Sequence, residues 1–125
     1  MALSNIQRIG KLLELLKEGL TPFVKQEMEA HYGDSWLDEA MRTLRKSEDW
    51  GEREGEIHLD VHALLILMWY QWNEVFSKTL SHAERSLVSE LRIVQNNWAH
   101  QKPFTTDDAH RAMDSGYRLL TAIAS

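Results

Sequence analysis

Residues 81–104 read SHAERSLVSELRIVQNNWAHQKPF, and the spacing predicts one long helix with a polar tip. Ser81 is a good N-cap, and Glu84, three residues on, completes a capping box. Leu87, Leu91, Val94 and Trp98 recur at helical spacing and make an apolar face. Arg85, Ser89, Arg92, Asn96 and His100 form a second, polar stripe, because residues three or four apart share a face. Pro103 stops the helix, since the residue before a proline avoids helical dihedrals. His100 then lies near the C-terminus, where the macrodipole favours a positive imidazole.

The segment before this helix is the most apolar in the chain. Leu59–Lys78 is predicted as the main core helix, with Val61, Leu64, Leu65, Met68, Trp72, Val75 and Phe76 in one stripe. Ala63, Ile66, Leu67 and Tyr70 make its other side apolar too. A helix apolar all round is buried on all sides, so part of this one is expected in a subunit interface. On the other flank, KPFTT is a turn and Thr105 caps a last helix, Thr106–Ala124. Asp107 and Asp108 sit in its first turn, where negative charge is favoured. Its buried face is expected to hold Ala109, Ala112, Met113, Gly116, Leu120 and Ile123.

Toward the N-terminus, Ser4–Glu18 is amphipathic, with Ile6, Ile9, Leu12, Leu13 and Leu16 on the core side. Gly19 is expected to end that helix. Thr21-Pro22 restarts it, as N-cap and first helical residue, and the new helix runs to Gly33 with Phe23, Val24, Met28 and Tyr32 facing inward. Asp34 or Ser35 caps a third helix to about Arg45. Lys46–His58, KSEDWGEREGEIH, has two glycines and no apolar period, so it reads as a polar connector, with Trp50 as the residue to pin it. No segment reads as a strand. The expected fold is all-α, an up-down helical bundle of about five to six helices. Residues 1–125 are expected to form one domain. The helical pattern is still running at Ala124-Ser125, so the chain is expected to be either the N-terminal domain of a longer protein or a compact protein with no tail.

Composition narrows the function. At 125 residues, 43% hydrophobic and 26% charged, the chain can bury a real core. The absence of cysteine removes disulfide and thiolate-metal chemistry and fits a reducing cytoplasm. A net charge of −5 opposes generic nucleic-acid binding but leaves room for a local basic patch. The apolar run Val61–Tyr70 is about half the ~20 residues that a membrane span needs, so no membrane association is expected.

Each chemically capable residue has a plain reading beside the functional one. His100 can act as an acid or base, or simply cap the helix. Asn96 is a surface amide or a site residue. Trp98 closes the apolar stripe or stacks on a base. His58 and His62 have the i, i+4 spacing of two helical metal ligands, but no third ligand is evident, so no metal is assigned. Asp107, Asp108 and Asp114 read as helix-start and solvated charges. His110-Arg111 adds positive potential whose location the sequence leaves open.

The segment Asn96-Asn97-Trp98-Ala99-His100, followed by Gln101 and Phe104, resembles the signature of HEPN domains of the Swt type. So do Gly19-Leu20-Thr21-Pro22-Phe23-Val24, Tyr32-Gly33-Asp34-Ser35-Trp36, Ser89-Glu90-Leu91-Arg92 and Asp107–Asp114. The resemblance implies a homodimeric, metal-independent endoribonuclease without cofactors. It belongs with toxin and phage-defence systems, whose partners are RNA and a larger defence protein or antitoxin. Two protomers there build a composite site. A His drives the ribose 2′-OH onto its own phosphate, and an Arg neutralises the charge. DNA lacks the hydroxyl. Carried over, His100 and Asn96 take the catalytic positions, with Trp98 and Arg85 as RNA contacts. The motif Arg position is Gln95, which carries no charge. Three readings stay open. Arg92 substitutes, although it lies roughly 12 Å from His100 along the axis at ~1.5 Å per residue. Alternatively the domain is a non-catalytic dimerisation or binding module. Or Gln95 is an introduced, silencing change.

Overall fold

The computed structural model describes residues 3–47 and 59–124. Five α-helices carry it: α1 (Asn5–Tyr32), α2 (Trp36–Lys46), α3 (Val61–Tyr70), α4 (His82–Ala99) and α5 (Thr106–Ile123), with short 3₁₀ turns at Gly33–Ser35 and Phe76–Lys78. α1 packs on α3 and α5, and α4 packs on the same two helices from the other side, while α2 leans on α1 and α3. The groove between α3 and α4 therefore lies across the bundle from the groove between α1 and α5. No strand occurs among the described residues, and no helix there is long and apolar enough to cross a membrane.

α1 is a single helix, which corrects the expected break at Gly19 and restart at Thr21-Pro22. Ile9, Leu12, Leu13, Leu16, Leu20, Val24 and Met28 form one buried stripe that runs past both positions. Gly19 serves close approach instead of termination: a Cβ there would sit 2.4 Å from Leu120 Cδ2 on α5. Gly116 mirrors it from α5, where a Cβ would lie 2.6 Å from Leu12 Cδ1. Pro22 is on the solvent side, so its missing N–H leaves the Glu18 carbonyl to water, and Thr21 Oγ1 donates to the Lys17 carbonyl at 2.6 Å. Continuous burial of the stripe outweighs an exposed proline that costs about 3 kcal/mol. Pro22→Ala is therefore expected to stabilise the fold by about 2 kcal/mol, after the looser unfolded chain takes back ~0.4–1 kcal/mol. Thermal unfolding checks this; an unchanged or lower Tm would mean that Pro22 is needed for packing.

α3 is shorter than the expected Leu59–Lys78. Asp60 caps it, accepting from the Ala63 N–H at 2.9 Å, and regular helix ends at Tyr70. Beyond it the chain continues in turns, with the Ser77 N–H reaching back to the Trp72 carbonyl at 2.8 Å. Trp72, Val75 and Phe76 are still buried, because a train of turns keeps the same i, i+3, i+4 spacing as a helix. Gln71 anchors the change. Its amide accepts from Tyr32 Oη and donates to Thr43 Oγ1, both at 2.7 Å, which bridges α1 and α2.

Ala63 to Met68 are all fully buried, and α1, α2 and α4 cover them within one chain. These six residues therefore need no second subunit to cover them. α4 and α5 begin where expected. Glu84 accepts from the Ser81 N–H and hydroxyl, and Thr105 and Asp108 exchange reciprocal bonds at 2.9 and 3.0 Å. On α5 the buried line is Ala109, Ala112, Ser115, Gly116 and Leu119. Met113, expected inside, faces out. The connector expected at Lys46–His58, Trp50 included, lies outside the described residues, except that Lys46 ends α2 and Ser47 caps it.

Candidate RNA-facing site on helix α4

α4 turns its polar stripe into the groove beside α3. Its core line is Val88, Leu91 and Gln95, one step round from the predicted Leu87, Leu91, Val94 and Trp98. Leu87 and Val94 are only partly buried. The rotation puts Gln95 inside, at 9% exposure. Its Oε1 lies 2.8 Å from His62 Nδ1 on α3, so the imidazole donates and Nδ1 carries the proton. The position that resembles the motif's Arg is thus a neutral amide tied to the neighbouring helix.

Next to this pair opens a cleft of about 280 Å³, lined by His62, Ser89, Arg92, Ile93 and Asn96. Burial lowers the Arg92 pKa from its usual value, yet a guanidinium stays charged in proteins. A second hollow of about 300 Å³ continues toward the start of α4, lined by Trp69, His82, Arg85, Ser86 and Ser89. Ser89 belongs to both. The Arg85 Cζ lies 4.5 Å over the Trp69 ring, and the Arg92 Cζ lies 5.4 Å from Trp69 and 5.6 Å from Tyr70. Among the described residues lining both hollows there is no carboxylate. The chemistry on offer is cationic and hydroxylic along α4, and aromatic along α3.

Of the residues singled out in the sequence, the structure gathers Ser89, Arg92 and Asn96 in the cleft and places Arg85 one step along it. His100 is not among the cleft residues. It ends α4, its N–H bonded to the Asn96 carbonyl at 3.1 Å, and its side chain is exposed. Gln101 follows at φ 57°, and the Lys102 N–H returns to the Asn97 carbonyl at 2.9 Å, which closes the helix C-terminus. Asn5 donates to the Phe104 carbonyl at 3.0 Å and ties this tip to α1. Trp98 leans the other way. Its indole Nε1 sits 3.5 Å from where a Gly10 Cβ would be, and 38% of the residue is exposed. Trp98 therefore half-covers α1 and lies off the polar face.

Three groove residues had no signal as a set in the sequence. His62 was visible only as one half of a spacing with His58, which lies outside the described residues. Trp69 and Tyr70 belong to an apolar run, and nothing local shows that arginines from another helix cover them. Among the described residues no group of three or more His, Cys, Asp or Glu is placed to hold a metal ion.

Neither His110 nor Arg111 lines the groove. Arg111 Nε donates to Glu90 Oε1 between α4 and α5, and Ser115 Oγ donates to Glu90 Oε2 at 2.8 Å. Burial pushes the Glu90 carboxyl up, but the bonds from Arg111 and Ser115 outweigh it, so its pKa lies below 4.5. A carboxylate with a depressed folded pKa stabilises the fold above its unfolded pKa, and that contribution is lost as pH falls through the folded value. Glu90→Gln is accordingly expected to flatten the loss of stability below pH 4.5. Urea unfolding at descending pH would expose an unaltered slope if Glu90 were not linked.

Neither the curated proteins nor the solved structures contain a match to this chain. The family model for Swt1-like HEPN domains matches residues 11–124. That span runs from the first turns of α1 to the end of α5 and includes the α4 stripe and the closing turn at His100, so the chain belongs to the Swt1-like HEPN family.

Proposed function

We propose that this chain is an RNA-acting HEPN module of the metal-independent endoribonuclease type, working as a homodimer, in which Gln95 leaves cleavage weak or absent. The observation that carries the proposal is the Gln95–His62 hydrogen bond at 2.8 Å. It holds a buried neutral amide at the position that resembles the motif's Arg. The rest of the site keeps the right chemistry. Arg92 and Asn96 can hold a phosphate through charge-assisted and neutral hydrogen bonds. His100 is exposed at the helix tip and can exchange a proton near neutral pH.

The reaction balances without a metal. The ribose 2′-oxygen bonds to phosphorus, its proton passes to an imidazole, and the 5′-oxygen leaves with a proton, giving a 2′,3′-cyclic phosphate end. Arg92 and His100 are eight residues apart on one helix, roughly 12 Å at ~1.5 Å per residue. One protomer does not close that span, whereas a two-fold partner presenting its own His100 tip does. Such a pairing brings the His100 tip of each protomer toward the Arg92–Asn96 cleft of the other.

A second reading rests on the same hydrogen bond. If Gln95 serves the core, the domain is a dimerisation or binding module of a larger defence protein. The deciding test is RNA cleavage in EDTA by the chain, by Gln95→Arg, and by Gln95→Arg combined with His100→Ala. Cyclic-phosphate ends from the single variant and none from the double support the ribonuclease reading. No cleavage by any folded form leaves the binding module. Sedimentation as a monomer at micromolar concentration removes the dimer from both.

A further inference from the structure

Arg85 is unusual for a surface arginine. Its guanidinium covers the Trp69 ring at 4.5 Å, and its Nε is buried with no hydrogen-bond partner among the described residues. An unpaired buried donor on a charged group is costly, and stacking on indole offsets only part of that. Arg92 approaches the same indole at 5.4 Å, so two cations converge on one ring. The chain carries −5 overall, yet the described lining of both hollows contains no carboxylate.

Both hollows touch Ser89, so among the described residues they adjoin along α4 between Asn96 and the start of the helix. Arg85 and Arg92 lie about 10 Å apart along it, and Asn96 about 6 Å further, at ~1.5 Å per residue. Cations on one wall and aromatic rings on the other match a single nucleic-acid strand, with phosphates on guanidinium groups and bases on ring faces. A duplex keeps its bases stacked inside and offers no such faces.

We infer that the α3–α4 groove is a track for single-stranded RNA, with Trp69 as the base platform and Arg85 and Arg92 as phosphate clamps. A base takes the indole face that Arg85 covers, and the guanidinium swings onto the adjoining phosphate. That movement supplies the acceptor which Arg85 Nε lacks. The inference rests on the RNA-acting reading but uses neither Gln95 nor His100. It extends the site away from the helix tip and leaves Trp98 out of it.

The test is fluorescence anisotropy of a labelled eight-uridine RNA binding to the full chain across a salt series. Arg85→Gln is expected to weaken binding about tenfold and to make the slope of log affinity against log salt shallower by about 0.7, the value for one phosphate contact on a single strand. Trp69→Leu, which keeps an apolar side chain against the core, is expected to lose about tenfold by removing the stacking face. A duplex of the same length is expected to bind at least about tenfold more weakly, and the matched DNA strand within about threefold, because stacking and phosphate contacts do not read the 2′-OH. The inference is overturned if the RNA does not bind, if the duplex binds as well, or if folded Arg85→Gln keeps both affinity and slope. Arg85 lies on the helix surface, so this variant decides the matter even if Trp69→Leu fails to fold. The two proposals fail separately. Binding with these signatures and no cleavage by Gln95→Arg keeps the track and removes the ribonuclease. Cleavage by Gln95→Arg that is indifferent to Arg85→Gln and to folded Trp69→Leu does the reverse.

Discussion

Gln95→Arg is expected to raise cleavage of single-stranded RNA by a factor of about 10²–10³, the usual worth of one well-placed group that stabilises transition-state charge. On the proposed reading, the motif's cation is missing at position 95. Asn96 and Arg92 already line the adjoining cleft, and the helix closure at His100 is intact. An arginine at 95 cannot stay where glutamine lies, because the position is 9% exposed and an unpaired buried charge is strongly disfavoured. Its long stem lets the guanidinium reach out toward the cleft beside Asn96, where a phosphate can pair with it. The change also removes the acceptor for His62 Nδ1, so the variant is expected to lose about 1–3 kcal/mol of stability, the cost of stranding a half-buried donor. Gain of activity with loss of Tm is a joint signature. A folded variant that yields no cyclic-phosphate product in EDTA would falsify the catalytic reading, whatever its stability.

Leu67→Ala is expected to cost about 3–4 kcal/mol, within the range for emptying a fully buried leucine site. At this chain length that corresponds to a fall in Tm of roughly 12 °C. The significance lies in the alternative. Read from sequence, Leu67 and Ile66 were surplus apolar residues awaiting a partner subunit. In the structure both are fully buried by the chain's own helices. If a second protomer covered them, Leu67→Ala would dissociate a dimer into folded monomers, and Tm would depend on protein concentration. A fall in Tm with no change in the sedimenting species is expected instead. The proposed dimer then leaves Ile66 and Leu67 inside each protomer.

Features that rest on neighbours within a turn were legible in the residues alone. The capping pairs Ser81–Glu84 and Thr105–Asp108 are three residues apart and were legible as helix starts. So were the all-α class, the stop at Pro103, and the common face of Arg85, Ser89, Arg92 and Asn96. The NNWAH segment and its companions pointed to the family before any coordinates. Tertiary structure decided everything that depends on how far each helix is rotated about its own axis. A small rotation of α4 exchanged Leu87, Val94 and Trp98 for Val88 and Gln95 on the core line, and no local rule sets that angle. The His62–Gln95 bond spans 33 residues, and the Arg85–Trp69 stack joins two helices. Local punctuation misled where packing outweighed it. Gly19 and Pro22 carry the marks of a helix break, yet the stripe from Ile9 to Met28 gains more from staying continuous than a solvent-facing proline costs. The end of α3 was hidden for the opposite reason: its apolar spacing persists through turns, and the bonds of Gln71 to Tyr32 and Thr43 are invisible until three helices meet.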